Sequence, residues 1–427
     1  MAVQQKPARF MALEGVRGIA AISVVLWHTT YMFFAFTIVG AGVQHAKFES
    51  FLYGTPLMAF ISGSWAVAIF FVLSGFVLSI KFFTRGDSDG VKSQLIRRYP
   101  RLMIPAAAVC LVACVIMLLG LNHNPAVNQF SHSDWLASMW SFVPSIPNAL
   151  YDGTIGVFTS NASATQYDPV LWTMYWEFLG SLLVFGFLMF VGKNRKRWVG
   201  YGLLAALTYS TYLFGFLIGM IFADLYGHDK FKKLNLGVAL ILVAVGFYLG
   251  GIITTSSPYY SFLPQIGGMQ PGMFIWFVRA LAAGLVVYVV LATPRITKLM
   301  ERRWISGIGK YTYALYLMHK LVLFSFTGWV FLHLQSHLGY NHAAAAAFIV
   351  SIPVIAVATV LFERYVDRPA IIFARKFGAW FTSEAPGTLA AGWQNRRIAL
   401  ASRLYMIEAK YSARVDAAKA ERDITSS

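Results

Sequence analysis

Four ionisable side chains, His28, Glu177, Arg279 and His319, stand out inside long apolar stretches of the chain. A charge in hydrocarbon costs several kcal/mol, so each such group marks a candidate site with a partner to be found. His28 is the most informative. It follows Arg17 by eleven residues, close to three helical turns, so the two share one face with Ala21 and the Val24/Val25 edge between them. That face offers a cation at its mouth and an acid/base group about 16 Å deeper, a track suited to an elongated anion. By the same rise, His319 lies about 14 Å past Lys310, and Glu177 and Arg279 lie roughly 20 Å above the Arg17 level, so all four share a similar depth. The competing readings are an ordinary bundle-packing role for a histidine, and a structural ion pair for Glu177 with Arg279.

More cations flank the same mouth: Lys81, Arg97, Arg98 and Arg101. Arg98-Tyr-Pro-Arg101 sets two guanidinium groups just before an apolar run, and their planar fork suits phosphate. For any single residue of this set, plain membrane anchoring is the better reading of the charge. Cys110 and Cys114 stand four apart within one apolar run and read as small core residues, and no metal site is expected.

The elements that must hold these groups follow from composition. In 427 residues, 58% are hydrophobic and only 12% charged, against roughly 25% charged in soluble domains. With a mean hydropathy of +0.60 the chain reads as an all-α integral membrane protein. Eight apolar runs, at about 18–39, 58–80, 102–121, 170–191, 236–255, 272–292, 311–332 and 344–362, are long enough to span. A ninth stretch, 198–226, is either one tilted helix or a short pair.

Lys and Arg decide between these, because cytoplasmic loops hold the excess of positive charge. Residues 1–17 hold 3, 81–101 hold 6, 193–197 hold 4, 228–233 hold 3 and 295–310 hold 5, whereas the intervening loops together hold only Lys47. Both flanks of 198–226 are therefore cytoplasmic, and the segment should turn back near Tyr209–Tyr212. The expectation is ten transmembrane helices with both termini cytoplasmic. The net charge of +17 is then mostly topology, which points to membrane and an anionic cofactor and away from nucleic acid.

The N-terminal apolar run has no Ala-x-Ala site and reads as a retained helix. The sequon Asn161-Ala162-Ser163 falls in an outside loop, weak support for a eukaryotic secretory membrane; the expected location is the plasma membrane or, in a eukaryote, an endomembrane. The expected domains are a membrane unit over 10–376 and a polar cytoplasmic tail over 377–427. Within that tail, 389–423 mixes 7 basic and 4 acidic residues with apolar ones, so an amphipathic helix is set against a disordered tail.

Leu13-Glu-Gly-Val-Arg17 through Leu-Trp-His28 resembles the opening helix of the acyltransferase-3 family of integral membrane acyltransferases, with its Arg, ten residues, then His. The likeness continues at Phe70-Phe-Val-Leu-Ser-Gly-Phe76, Arg98-Tyr-Pro-Arg101-Leu, Trp172-Thr-Met-Tyr-Trp-Glu177, Phe214-Gly-Phe-Leu-Ile-Gly-Met220, Gly309-Lys-Tyr-Thr-Tyr313 through His319, and Glu363-Arg-Tyr-Val-Asp-Arg-Pro369, in the family's order. The resemblance implies a ten-helix fold that transfers acetyl or other short acyl groups from cytoplasmic acyl-CoA, acetyl-CoA in the simplest case, to a hydroxyl of a glycan, lipid or small secondary metabolite. It implies that His28 is the catalytic histidine with Arg17 as its partner. Arg98 and Arg101 match the family's donor-binding Arg-x-x-Arg, and Glu177 and His319 match the family's acidic residue and ninth-helix histidine; on charge and position alone, Lys81 and Arg17 would join the arginines at the donor's phosphates. Two departures bear on the acceptor. No extracytoplasmic hydrolase-like domain follows in this chain, and bulky aromatics stand after Trp172 where the family has smaller residues.

Chemically, His28 would take the proton of the acceptor hydroxyl, with Glu177 or His319 orienting it. An acyl-histidine relay across the membrane is the variant that the sequence leaves open. The competing class is a transporter whose midplane His, Glu and Arg carry protons or substrate.

Overall fold

A computed structural model describes residues 10–159, 167–263 and 269–382. The sequon at Asn161 and the expected tail helix over 389–423 lie outside the described residues. The chain divides into one unit over Met1–Lys376 and another over Phe377–Ser427.

All regular elements among the described residues are helices. This is the outcome that hydrocarbon demands of an open chain, because a helix satisfies its backbone polar groups internally. The principal helices are α1 (Met11–Phe33), α2 (Gly63–Arg85), α3 (Ser88–Leu118), α4 (Trp172–Phe190), α5 (Arg197–Thr208), α6 (Leu213–Gly227), α7 (Leu236–Gly250), α8 (Pro271–Ala292), α9 (Thr312–Leu338) and α10 (Tyr340–Phe362). Through a π turn at Glu363–Asp367, α10 runs on into a helix over Arg368–Thr382. Pro369 stands two residues past that turn, and its missing N–H and bulky ring favour a locally widened helix.

Seven of these helices are long and apolar enough to cross a membrane. The three others fall short of the ten spans expected: α6 and α7 have 15 residues each and α5 has 12, about 23 and 18 Å against a core of roughly 30 Å. The break between α5 and α6 does fall at Tyr209–Tyr212, where the charge pattern places the turn.

Local chemistry fixes the element ends. Ser62 accepts a hydrogen bond from the Trp65 N–H at the start of α2, and Gly86, at φ +66°, ends it. The Asp87 carboxylate accepts from the Gly90 N–H at 2.7 Å and opens α3. The turn sets Lys81 and the Arg98 cluster on adjacent helices.

Helix contacts rest on small residues. A Cβ on Gly75 of α2 would meet the Phe216 carbonyl of α6, and one on Gly219 of α6 the Val72 carbonyl of α2. Backbones approach this closely only where no side chain intervenes. Likewise Gly15 of α1 faces the Met300 carbonyl, and Gly309, closing the short helix Arg303–Gly309, faces that of Glu14. The Leu13–Arg17 and Gly309–His319 motifs, far apart in sequence, thus pack on one another.

The loops sort to two ends. At one, the His45 ring stacks on Tyr340 at 3.8 Å and bonds the Ser131 carbonyl at 3.3 Å, and Ser257 donates to the Gly54 carbonyl at 2.6 Å. At the other, Arg197 pairs with Asp224 at 2.6 Å and Lys310 with Glu363 at 3.4 Å. Segments poor in Lys and Arg gather at the first end and the basic segments at the second.

Candidate active site

The basic end of the bundle encloses a cavity of about 130 Å³ among α1, α2, α3, α4 and α9. Arg17, Arg98, Arg101, Glu177 and Ser74 are among its polar lining, and Phe70, Met174 and Leu102 are among its apolar walls. Lys81, expected beside these arginines, is exposed on α2 and does not line the cavity.

Both arginines of Arg98-Tyr-Pro-Arg101 are engaged. Arg98 forms an ion pair with Glu177 and donates through Nε to Ser181 at 2.6 Å. Ser74 donates to the same Glu177 oxygen at 2.8 Å. Arg101 reaches Asp367 at 2.6 Å and lies 5.1 Å from the Tyr313 ring centroid. The π turn before Pro369 therefore ends on the carboxylate that holds the second arginine. Arg17 remains the looser cation, 3.8 Å from Glu14 with 38% of its side chain exposed.

The structural ion pair of Glu177 with Arg279, the competing reading, does not form. Arg279 is buried on α8 and donates from Nε and Nη2 to the Ile252 carbonyl, at 3.1 and 2.6 Å, with the Trp276 ring 5.5 Å away. It closes the end of α7 and does not line the cavity. The hydrogen bonds of Glu177 go to Arg98 and Ser74, and among the described residues the orienting contact of His28 is with His319.

His28 and His319 meet directly, Nδ1 to Nε2 at 2.9 Å. His319 Nδ1 lies 2.9 Å from the Leu315 carbonyl. A carbonyl only accepts, so Nδ1 of His319 carries the hydrogen, and in the neutral ring Nε2 accepts. The hydrogen between the rings then sits on His28 Nδ1, and Nε2 of His28 keeps its lone pair. The pair fixes one tautomer of a partly buried base with His319 as its orienting group, the logic of a triad.

Trp135, from the short outer helix Asp134–Ser138, stacks on His28 at 5.7 Å and on Tyr31 at 4.7 Å. On the cavity side stands Tyr316, one turn before His319, with ring centroids 6.2 Å apart. Its phenol donates to the Val170 carbonyl at 3.1 Å and lies 3.1 Å from the Thr173 hydroxyl. Tyr316 and Thr173 line the cavity, whereas His28 and His319 do not. The arginine-lined space thus ends one helical turn short of the histidines.

Ser74, Thr173, Tyr316 and Trp135 carry no charge that marks them in the sequence. Lys320 does, since an ionisable residue directly after His319 lies within the same apolar run. Just outside the span beginning at Pro169, burial pushes the Asp168 carboxyl above the usual carboxylate range, with Lys320 pulling the other way.

The family model described as an acyltransferase domain matches residues 11–363. The O-acetyltransferase PaAT-1 of Phomopsis amygdali is 26% identical over 369 residues, covering 72% of this chain and 71% of that protein. Acyltransferase clz18 of Cochliobolus lunatus is 23% identical over 387 residues, covering 74% and 81%. Acyltransferase R4 of a Phoma species is 22% identical over 388 residues, covering 75% and 82%. No solved structure matches the chain.

Proposed function

Because the chain belongs to this acyltransferase family and carries seven helices fit to span a bilayer, it is a multi-pass membrane acyltransferase, and we propose that it moves an acetyl or other short acyl group from cytoplasmic acyl-CoA to an acceptor hydroxyl. The observation that carries the reading is the fixed tautomer of His28, one helical turn beyond a cavity lined by three arginines. The acetyl group is favoured by the O-acetyltransferase among the relatives. The acceptor is a glycan, a lipid or a small secondary metabolite.

CoA carries its negative charge on the nucleotide and its thioester at the end of a slender arm. At about 130 Å³ the cavity is smaller than the roughly 300 Å³ of an ordinary small-molecule site, so it suits the arm, with the phosphates held at the mouth. There Arg17 is the more exposed cation, and Arg98 and Arg101 add positive potential from their ion pairs. Tyr316 must yield for the thioester to reach the histidines. His28 Nε2 then takes the acceptor proton as the hydroxyl oxygen bonds to the thioester carbon. Collapse expels the CoA thiolate, which takes that proton back.

We assign the basic end to the cytoplasm, with both termini there, on the excess of Lys and Arg in its loops. Ten crossings follow if α5, α6 and α7 traverse where the bilayer thins around them.

The test is label transfer from [14C]acetyl-CoA into a pooled metabolite and glycan extract by the purified full-length protein. His28→Ala should lower turnover by about 10² to 10⁴ at an unchanged melting temperature. Near-normal turnover in that variant sinks the assignment. A protein that retains label from acetyl-CoA alone, without extract, would replace direct transfer by an acyl-enzyme relay.

A further inference from the structure

Lys320 follows His319 on α9 and is 2% exposed. Its ammonium lies 4.8 Å from the centroid of Trp135, the ring that also stacks on His28. Among the described residues, no carboxylate comes within 4.0 Å of that nitrogen. Its field reaches His28, His319 and Asp168. Asp168 is itself fully buried; one carboxylate oxygen lies 3.4 Å from the Val170 N–H, and the other, Oδ2, has no hydrogen-bond partner among the described residues.

A cation and a carboxylate therefore stand near one another without closing into contact, where burying either costs several kcal/mol. A purely structural pair offsets that cost by direct contact and shared hydrogen bonds. Here the aromatic face holds the ammonium instead, its N–H donors stay uncommitted, and the ring it rests on is the one that stacks on the proposed base.

We propose that Lys320 is a catalytic residue whose ammonium donates to the oxyanion formed during acyl transfer, with Asp168 as a positioning residue that keeps it charged. The inference rests on the acyl-transfer reading and adds a residue to it. When the acceptor oxygen bonds to the thioester carbon, the carbonyl π pair moves onto oxygen and the hydroxyl proton moves to His28 Nε2. The new negative charge lies against the ammonium until the C=O bond re-forms, the C–S bond breaks and the leaving thiolate takes the proton from His28. A buried donor aimed at such a charge is typically worth about 10² to 10³ in turnover.

The experiment measures label transfer from [14C]acetyl-CoA into the pooled extract, with KM for acetyl-CoA and the melting temperature, for full-length wild type, Lys320→Met, Lys320→Gln, Asp168→Asn and the Lys320→Met/Asp168→Asn double variant. The expected result is turnover lowered about 10² to 10³ in both Lys320 variants with KM within about twofold, and a double variant as slow as Lys320→Met. Lys320→Gln, of similar length but without the ammonium's charge, serves where Lys320→Met does not fold. Turnover within about threefold of wild type in a folded Lys320 variant overturns the proposal, as does a double variant that regains wild-type turnover, since Lys320 would then only neutralise Asp168. A wild-type protein that transfers no label overturns the acyl-transfer reading itself; transfer lost in His28→Ala but kept in Lys320→Gln overturns only the role of Lys320.

Discussion

His28 Nδ1 and His319 Nε2 lie 2.9 Å apart, and the bond has one sense, because His319 Nδ1 is already spent on the Leu315 carbonyl. What His319 supplies is an acceptor at a set position, and an amide oxygen can imitate that. His319→Phe should lower turnover about tenfold or more, the worth of one hydrogen bond of about 1.4 kcal/mol. His319→Gln should recover part of the loss. Equal activity of the two variants in the label-transfer assay would mean that the ring contact does not orient the base.

Arg98 and Glu177 hold one another where each side chain is only about 15% exposed, at 16% and 14%. Breaking such a pair leaves a buried charge behind, whereas removing both partners does not. Glu177→Gln should therefore cost about 3 kcal/mol, the low end for a buried pair because the cavity admits water. An Arg98→Met/Glu177→Gln double variant should be more stable than Glu177→Gln alone. Thermal unfolding in detergent compares the two; a double variant less stable than the single would show that the pair is not the main partner of either residue.

Arg279 carries a different expectation, since it serves the end of α7 through the Ile252 carbonyl. Replacing it by Met leaves that carbonyl without its donor, at about 1–3 kcal/mol. The melting temperature of Arg279→Met should fall while turnover per folded molecule stays near wild type. A variant of normal stability and no activity would return Arg279 to the site.

Gly75→Ala should be costly and Gly186→Ala should not. The first Cβ would enter the Phe216 carbonyl, which can yield only if α2 and α6 separate; the second meets nothing within 4 Å. Overpacking at Gly75 should cost about 1–3 kcal/mol, and Gly186→Ala should gain up to about 1 kcal/mol from helix propensity. Melting temperatures of the two purified variants decide it, and equal values would mean that this helix contact is not tight.

Depth was legible in the sequence and azimuth was not. Seven of the eight full-length apolar runs become spanning helices, and these, the break at Tyr209–Tyr212 and the shared level of His28 and His319 follow from run length, charge placement and rise per residue, because the bilayer and the helix each impose one fixed length; the run at 236–255 forms only the 15-residue α7. Rise alone gives Glu177 and Arg279 the same depth, yet they face different neighbours. Rise along one helix says nothing of which helix stands opposite; that is set by packing, here by Gly75 and Gly219 between α2 and α6 and by Gly15 and Gly309 beside α1. Trp135 was illegible for another reason. It reaches His28 from a short helix in an outer loop whose sequence carries no period long enough to read.

The sidedness of the molecule yields to chemical labelling, because Cys110 and Cys114 are buried and give little background. Val143 is 89% exposed, in the Lys- and Arg-free segment that packs toward the end holding His45 and Tyr340. Arg195 is exposed between α4 and α5 at the basic end. If positive charge marks the cytoplasm, Val143→Cys should react with a membrane-impermeant maleimide on intact cells or sealed right-side-out vesicles. Arg195→Cys should react only after permeabilisation. The reverse pattern would place the arginine-lined cavity on the outer side, out of reach of cytoplasmic CoA, and the acyl donor would have to be sought among other anionic carriers.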